Sequence, residues 1–283
     1  MLTSVTFTPP HDAAAAAGYP FTVPAVRATP SLVFRAPVTF FVGENGSGKS
    51  TWLEGIAAAA GLPAVGSDDV AADATLAAAR RLARQVKLTW TGARARRGFF
   101  LRAEDFFGYT KRLAEMRAGM LAELATLEAD YRRDARSSYA LGLAQGPLRA
   151  SLGDMERRYG VDLDANSHGQ SFLRLFQSRL VPAGLYLLDE PEAPLSPQSQ
   201  LGLMAMIVDL VGAGAQFVVA THSPILLAFP GAEIYSFDEL PARVVPYDDL
   251  EHVRLTRAFL AAPERYLRHL APPPSHPHQR AEP

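Results

Sequence analysis

A glycine-rich loop between an apolar, strand-like run and a helix-like segment constrains the fold of this chain more than any other feature. The apolar run is Val38 to Val42, and the loop that follows consists of Gly43, Glu44, Asn45, Gly46, Ser47, Gly48, Lys49, Ser50 and Thr51. This is the pattern of a phosphate-binding loop (P-loop), whose glycines let backbone N–H groups converge on phosphate oxygens. The helix N-terminus adds partial positive charge and Lys49 adds a full charge. The loop is therefore predicted to bind phosphates, with Ser50 as a ligand of Mg²⁺.

The composition favours one large α/β domain. The chain has 283 residues, 48% of them hydrophobic, which is enough to bury a substantial core. Its formal net charge is −1, so nucleic acid or an anionic membrane would have to be bound by a local patch. Cysteine is absent from the sequence, which excludes disulfide frameworks and is compatible with a cytoplasmic location. Neither a secretory signal pattern nor a membrane-spanning run is recognisable, so we expect no membrane insertion.

A second chemical signal is a pair of acids at the end of an apolar run. Leu185 to Asp189 is predicted to be a buried strand, and Glu190 and Pro191 follow it. Because proline cannot continue strand pairing, both acids should lie at the carboxyl end of the strand, where open parallel sheets form their ligand crevice. We expect Asp189 to hold Mg²⁺. Glu190 is expected to orient, or to accept a proton from, a water that attacks the γ-phosphate.

Two further segments place polar groups at the predicted end of a strand and at the predicted start of a helix. The apolar run Gln216 to Ala220 is followed by His222, whose imidazole could donate to a γ-phosphate oxygen and so register that phosphate. Residues Asn166 to Ser171 precede a helix-like segment, and they are suited to a helix N-terminus that binds an anion.

The order and spacing of these four elements resemble those of the ABC-type ATPase superfamily over most of the chain. The resemblance implies that the ligand is ATP and that it is hydrolysed with Mg²⁺ to ADP and phosphate. It implies catalytic roles for Lys49, Glu190 and His222. It also implies a signature motif formed by Ser167, Gly169 and Gln170. Because that motif covers ATP bound by another subunit, the resemblance implies a head-to-tail homodimer that closes on two ATP molecules.

Two segments depart from transporter ATPases, and the second of them indicates the soluble branch of the superfamily. His168 stands where the transporter signature has a glycine. The segment Pro191 to Pro197 is similar to the corresponding loop of SMC-like, RecF/OLD-like and small stand-alone ATPases. Trans contact through the signature therefore remains an expectation of the resemblance.

The resemblance also suggests one metal ligand and one adenine contact. Transporter ATPases place a glutamine at a strand end, where it reaches Mg²⁺, and Glu104 occupies the similar position here. The alternative for Glu104 is a surface ion pair with Arg102 or a nearby arginine. Tyr19 and Phe21 are candidates for stacking on adenine, and core packing is the alternative for both.

The predicted fold class is α/β: a P-loop NTPase with an ABC-type ATPase core, in which a parallel-rich central sheet is flanked by helices. Residues 1–270 are predicted to form a single domain with a small helical lobe at about 105–171, and 271–283 to form a disordered tail. Alternation over residues 21–42 predicts short strands before the P-loop. Within the lobe, apolar residues at three- and four-residue steps predict an amphipathic helix that packs on a neighbouring helix. These residues are Leu113, Met116, Met120, Leu124, Leu127 and Tyr131.

A basic segment bears on partners. Residues Arg80 to Arg102 include eight basic and no acidic side chains, and they form either a nucleic-acid patch or a solvated face. The favoured function is a soluble ATPase linked to DNA maintenance or defence. The alternatives are the nucleotide-binding subunit of an ABC transporter and a slow nucleotide-gated switch.

Overall fold

A computed structural model gives the structure of residues 1–65, 77–95, 97–159 and 168–268. The strands are β1 (Leu2–Phe7), β2 (Ser31–Val33), β3 (Val38–Val42), β4 (Val86–Trp90), β5 (Gly98–Arg102), β6 (Leu185–Asp189), β7 (Gln216–Ala220), β8 (Glu233–Ser236) and β9 (Arg243–Val244). The helices are α1 (Ala13–Ala16), α2 (Pro24–Ala28), α3 (Lys49–Ala60), α4 (Ala77–Ala83), α5 (Ala103–Arg133), α6 (Ser138–Tyr159), α7 (His168–Arg179), α8 (Pro197–Gly212), α9 (Pro224–Leu227), α10 (Glu251–Ala261) and α11 (Glu264–Leu267).

A six-stranded sheet forms the centre of the molecule. Its strand order is β5-β6-β7-β3-β8-β9, and every pairing is parallel except that of β8 with β9. Strands β3, β6 and β7 are buried along their whole length, because helices cover both faces of the sheet. This explains why all three are continuous apolar runs in the sequence. The predicted α/β class with a parallel-rich sheet flanked by helices is confirmed.

A smaller antiparallel sheet of order β2-β1-β4 packs beside the central sheet. The side chain of Gln216 joins the two, since its amide donates to the Leu2 carbonyl and accepts from the Leu2 N–H, both at 2.8 Å. The short strands predicted for residues 21–42 are only partly present. Pro24–Ala28 is helical, because Pro24 is pre-set for a first helical turn and the helix buries Ala25 and Val26.

Two apolar cores lie on opposite faces of the central sheet. Neighbouring strand residues point to opposite faces, so Phe41 packs in the core with Trp52 of α3, whereas Phe40 packs in the core with Phe172 of α7 and Leu203 of α8. The first core fixes the helix after the P-loop against the sheet. The second fixes the helix after the acid pair.

The predicted amphipathic helix is part of α5, which begins at Ala103 and packs against α6. Its stripe residues are buried or half-buried, with the exception of Met116, which is 57% exposed. Packing on a neighbouring helix is thus confirmed. The domain division and the lobe limits stay predictions, and the predicted tail 271–283 lies outside the described residues. Over the described ranges, no helix is both long and apolar enough to cross a membrane.

Candidate functional site

The P-loop begins directly after β3 and continues into the first turn of α3, as predicted. Gly48 precedes the first helical residue and has a φ of 99°, which favours glycine. A Cβ at this position would lie 2.8 Å from the Cβ of Ala25 and 2.9 Å from Cγ1 of Val23. Both the backbone angle and the close approach of α2 therefore require glycine here. The sharp turn brings the N-terminus of α3 to the end of the central strand β3.

The Lys49 ammonium is folded into this loop. Its Nζ donates to the carbonyl of Gly43 at 2.6 Å and to that of Glu44 at 2.9 Å, and the residue is only 4% exposed. Burial lowers the pKa of Lys49, and the neighbouring carboxylates, Asp189 first among them, act in the opposite direction. The loop thus contains a partly desolvated cation, which contact with an anion would stabilise.

Asp189 lies at the carboxyl end of β6, between Arg102 of β5 and Ala220 of β7 in the sheet register. Burial raises its pKa to about 6, while a hydrogen bond from the Ser50 side chain acts in the opposite direction. Its Oδ1 is buried and has no hydrogen-bond partner among the described residues. A buried carboxylate oxygen with unused capacity, next to a hydroxyl, is the donor set that Mg²⁺ takes.

This donor set fits a magnesium ion whose remaining ligands come from phosphate or water. In the part of the chain that the structure describes, no group of three or more histidine, aspartate or glutamate side chains could hold a metal. A site built from Ser50 and Asp189 alone therefore depends on oxygen ligands from outside the protein, as magnesium sites with nucleotide substrates do.

Glu190 turns the chain at the end of β6. Its N–H donates to the Ala220 carbonyl at 2.9 Å, and its carbonyl accepts from the N–H of Ala193 at 3.1 Å. The φ of Glu190 is 51°, a left-handed conformation that costs a non-glycine residue about 1 kcal/mol or more. The turn leaves the Glu190 side chain 47% exposed at the edge of the sheet. Strained backbone of this kind is concentrated at functional sites.

His222 lies two residues beyond β7 and faces Glu190. Its Nε2 is 3.9 Å from Oε1 of Glu190, and this nitrogen is buried without a hydrogen-bond partner among the described residues. The backbone N–H of His222 donates to Oε1 of Glu192 at 2.7 Å. The structure therefore brings the two predicted strand-end groups together, and it adds Glu192 to them.

An open cleft connects these groups. A cavity of about 450 Å³ is lined by Glu44, Asn45, Glu190 and His222. It adjoins a wider cleft of about 750 Å³ along the P-loop, where Asp238 and α10 form the other wall. The acid Asp238, which we did not predict, accepts the Glu44 N–H at 2.9 Å and so fixes the start of the P-loop. The signal for it in the sequence was its place two residues after the strand-like run Glu233–Ser236.

The signature and the Glu104 ligand stay predictions. Ser167 lies outside the described residues. Gly169 and Gln170 belong to the first turn of α7, and their side chains are not among those described. Glu104 was expected at a strand end, but β5 ends at Arg102 and Glu104 lies in the first turn of α5; its side chain is likewise not described.

Arg102 forms ion pairs with two acids that we did not consider. Its guanidinium contacts the Asp105 carboxylate at 2.8 Å and the Glu54 carboxylate at 3.6 Å. Because Glu54 is in α3 and Asp105 is in α5, Arg102 connects the P-loop helix to the long helix that follows β5. All three side chains are largely buried.

The two adenine candidates have different environments. Phe21 is buried and stacks on Phe7 with ring centroids 6.2 Å apart, which is the core-packing alternative. Tyr19 is 52% exposed, and its hydroxyl lies 3.5 Å from Oγ1 of Thr51 at the end of the P-loop. Of the two, only Tyr19 offers an accessible ring beside the loop.

The basic segment is partly used inside the fold. Arg81 donates to the carbonyls of Tyr19 and Ala15 and lies over the Phe21 ring. Arg94 donates to the carbonyls of Ala59 and Ala60 near the end of α3. Such contacts satisfy free helix carbonyls and turns, so these arginines have structural functions that their sequence clustering did not reveal.

Comparisons with known proteins concern overall structure. No family model matches the chain, and no curated protein matches it. Among solved structures, it is similar to a nucleotide-free ATP-binding cassette from an ABC transporter, with a TM-score of 0.45 and 15% identity over 94% of this chain and 99% of the other. It is also similar to the SMC head domain from Thermotoga maritima, with a TM-score of 0.41 and 13% identity over 87% and 98% of the two chains. A third similar structure is cbiO1 from Clostridium perfringens, part of the ABC transporter complex cbiONQ, with a TM-score of 0.42 and 14% identity over 95% and 99%.

Proposed function

We propose that the protein binds ATP with Mg²⁺ and hydrolyses it to ADP and phosphate. The observation that carries the proposal is the meeting of Lys49, the acids Asp189 and Glu190, and His222 at one edge of the central sheet. They follow the carboxyl ends of three neighbouring parallel strands, β3, β6 and β7. This edge is where open α/β sheets bind ligands.

The binding step uses the P-loop and the two candidate metal ligands. The backbone amides of the loop and the start of α3 supply donors for the phosphates, and the Lys49 ammonium exchanges its contacts with the Gly43 and Glu44 carbonyls for phosphate oxygens. Ser50 and Asp189 would hold Mg²⁺. When bound, this ion neutralises charge on the phosphate oxygens.

The hydrolytic step is assigned to Glu190 and His222. The oxygen of a water forms a bond to the γ-phosphorus while the bond from that phosphorus to the ADP oxygen breaks. Glu190 accepts a hydrogen bond from this water and takes its proton as the new bond forms, and the proton then passes to the phosphate product. His222, next to Glu190, donates a hydrogen bond to the γ-phosphate and thereby stabilises the transferred group.

A second copy of the chain is the proposed partner for closure. The cleft is open over Glu44 and Asn45, and the resemblance supplies a covering group in Ser167, Gly169 and Gln170 of another subunit. We propose that the dimer forms around two ATP molecules and opens after hydrolysis.

Steady-state hydrolysis of ATP by the purified protein, with and without Mg²⁺, tests the proposal. The Glu190→Gln variant is the matched control, because it keeps the shape of the side chain and removes the carboxylate. We expect Mg²⁺-dependent turnover by the wild type and almost none by the variant. Equal turnover by both proteins would overturn the assignment of Glu190.

Duplex DNA, added to the same hydrolysis assay at moderate salt, tests which process the ATP cycle drives. We propose a DNA-linked role, supported by the Pro191 to Pro197 loop and by the exposed Arg84, Lys87 and Arg97. Stimulation that disappears after replacement of these three residues would support that role. Unchanged turnover would favour a protein partner instead, including the membrane partner that a transporter subunit requires.

A further inference from the structure

We propose that Glu192 is a positioning residue that holds His222 beside Glu190 by accepting its backbone N–H. The inference deepens the proposed function and rests on it. Glu192 does not line the described cavities and would not contact the phosphate itself. Its effect on hydrolysis would be exerted through the histidine.

The path of the chain after β6 returns Glu192 to the strand-end region. Glu190 still pairs with Ala220 of β7, and its left-handed backbone then turns the chain. Two successive tight turns follow, with hydrogen bonds from the Ala193 N–H to the Glu190 carbonyl and from the Leu195 N–H to the Glu192 carbonyl. Glu192 is thus held by main-chain hydrogen bonds on a short, defined loop next to the end of β7.

The contact between Glu192 and His222 is short and charge-assisted. Oε1 of Glu192 accepts the His222 N–H at 2.7 Å, within the range of strong hydrogen bonds to ionised carboxylates. The other carboxylate oxygen, Oε2, is buried and has no hydrogen-bond partner among the described residues. Because a buried carboxylate is costly without hydrogen bonds, its bond to the His222 N–H sets a specific geometry at position 222.

A second contact anchors the loop after β7, which carries His222. Gln200 of α8 accepts a hydrogen bond from the Ser223 hydroxyl, and Ser223 caps α9 through the N–H groups of Ile225 and Leu226. If Glu192 is removed, this anchor still holds the start of α9. We therefore expect the fold to persist and the local orientation of His222 to change.

The expected size of the effect follows from the 3.9 Å separation between His222 Nε2 and Glu190 Oε1. A displacement of about 1 Å in a catalytic group can cost about 100-fold in rate. A displaced His222 should therefore lower kcat. ATP affinity, which depends mainly on the P-loop, should change little.

Three substitutions of Glu192 separate the effect of side-chain length from the effect of charge. Glu192→Gln keeps the length of the side chain and an acceptor oxygen, so kcat should stay within about threefold of the wild type, since a neutral bond replaces a charge-assisted one. Glu192→Asp keeps the charge but is one methylene shorter, and Glu192→Ala removes the acceptor. Both should lower kcat at least about tenfold with little change in KM. Glu233→Ala is the matched control, because Glu233 also accepts a backbone N–H, that of Arg35. Glu233 lies at the start of β8, at the end of the strand remote from the candidate site.

A double-mutant cycle gives the decisive readout. If Glu192 acts through His222, then Glu192→Ala combined with His222→Ala should hydrolyse ATP no more slowly than His222→Ala alone. Additive losses, or loss in Glu192→Gln equal to that in Glu192→Asp, would overturn the positioning role while leaving the ATPase proposal intact. If Glu192→Ala fails to fold, the comparison of the Gln and Asp variants decides. A wild-type protein without ATP hydrolysis would overturn both the proposed function and this inference.

Discussion

The Nε2 atom of His222 lies 3.9 Å from Oε1 of Glu190, although the two residues belong to different loops after neighbouring parallel strands. The imidazole nitrogen is buried, whereas the glutamate side chain is half-exposed. This relationship places a hydrogen-bond donor and a carboxylate on the same side of a cleft lined by the P-loop.

Glu190→Gln should bind ATP normally and hydrolyse it at least about 100-fold more slowly, because the amide cannot orient or deprotonate water as a carboxylate does. The variant should accumulate the ATP-bound dimer, which light scattering would detect as a doubling of mass on addition of MgATP. A variant that remains monomeric with bound ATP would contradict the dimer model without affecting the assignment of the P-loop.

Lys49→Met should abolish detectable ATP binding at concentrations that saturate the wild type, because the variant lacks the ammonium that balances the phosphate charge. Its stability without nucleotide should be similar or higher, since a desolvated ammonium is replaced by an apolar chain of similar length. Calorimetric titration with ATP measures the first effect and urea denaturation the second. Binding as tight as in the wild type would place the phosphates elsewhere. Lys87→Met, on an exposed position of β4, is the control.

Asp189→Asn should raise stability at neutral pH in the absence of nucleotide. The pKa of Asp189 is raised from 3.8 to about 6, so between these values the folded protein binds more protons than the unfolded one. The free energy of unfolding therefore falls as pH rises through this window, by at most about 3 kcal/mol. Asparagine cannot ionise, so the free energy of unfolding of the variant should exceed that of the wild type at pH 7. This difference should disappear near pH 4. Urea denaturation at both pH values is the measurement, and an equal difference at both would contradict the assignment.

Mg²⁺-dependent hydrolysis should show the opposite pH dependence. The metal needs the ionised carboxylate of Asp189, so activity should decline as pH falls below about 6. Raising the Mg²⁺ concentration should move this decline to lower pH, because metal and proton compete for the same oxygen. A decline that is independent of Mg²⁺ concentration would implicate another group.

Gly98→Ala should destabilise the sheet strongly. Gly98 has a φ of 135°, and a Cβ there would lie 1.8 Å from the carbonyl oxygen of Leu185 on the neighbouring strand. Strands β5 and β6 would have to separate, with a cost above about 3 kcal/mol. Gly92→Ala is a matched control: its φ is also positive, at 74°, but no atom lies within 4 Å of the added carbon. It should cost only about 1 kcal/mol in backbone strain. Similar losses in the two variants, measured by urea denaturation, would show that the strand contact is unimportant.

The sequence by itself determined the α/β class and most of the candidate site. Continuous apolar runs such as Leu185 to Asp189 require a strand that is covered on both faces, and the polar groups that follow them must then lie at strand ends. The glycine pattern before Lys49 fixed the turn into a helix. These are local signals, because periodicity, chain direction and glycine conformation depend on residues near one another in the chain.

Only the tertiary structure decided which of these groups meet and what supports them. Residues far apart in sequence are joined by the order of β6, β7 and β3 in the sheet and by the hydrogen bond that the His222 N–H donates to Glu192. The bond from the Glu44 N–H to Asp238 joins the P-loop to the segment after β8 in the same way. The burial of Phe21, and of Ala25 and Val26 in α2, was decided in the same way. Such contacts depend on how complete elements pack, and a local pattern contains no information about the partner it will meet.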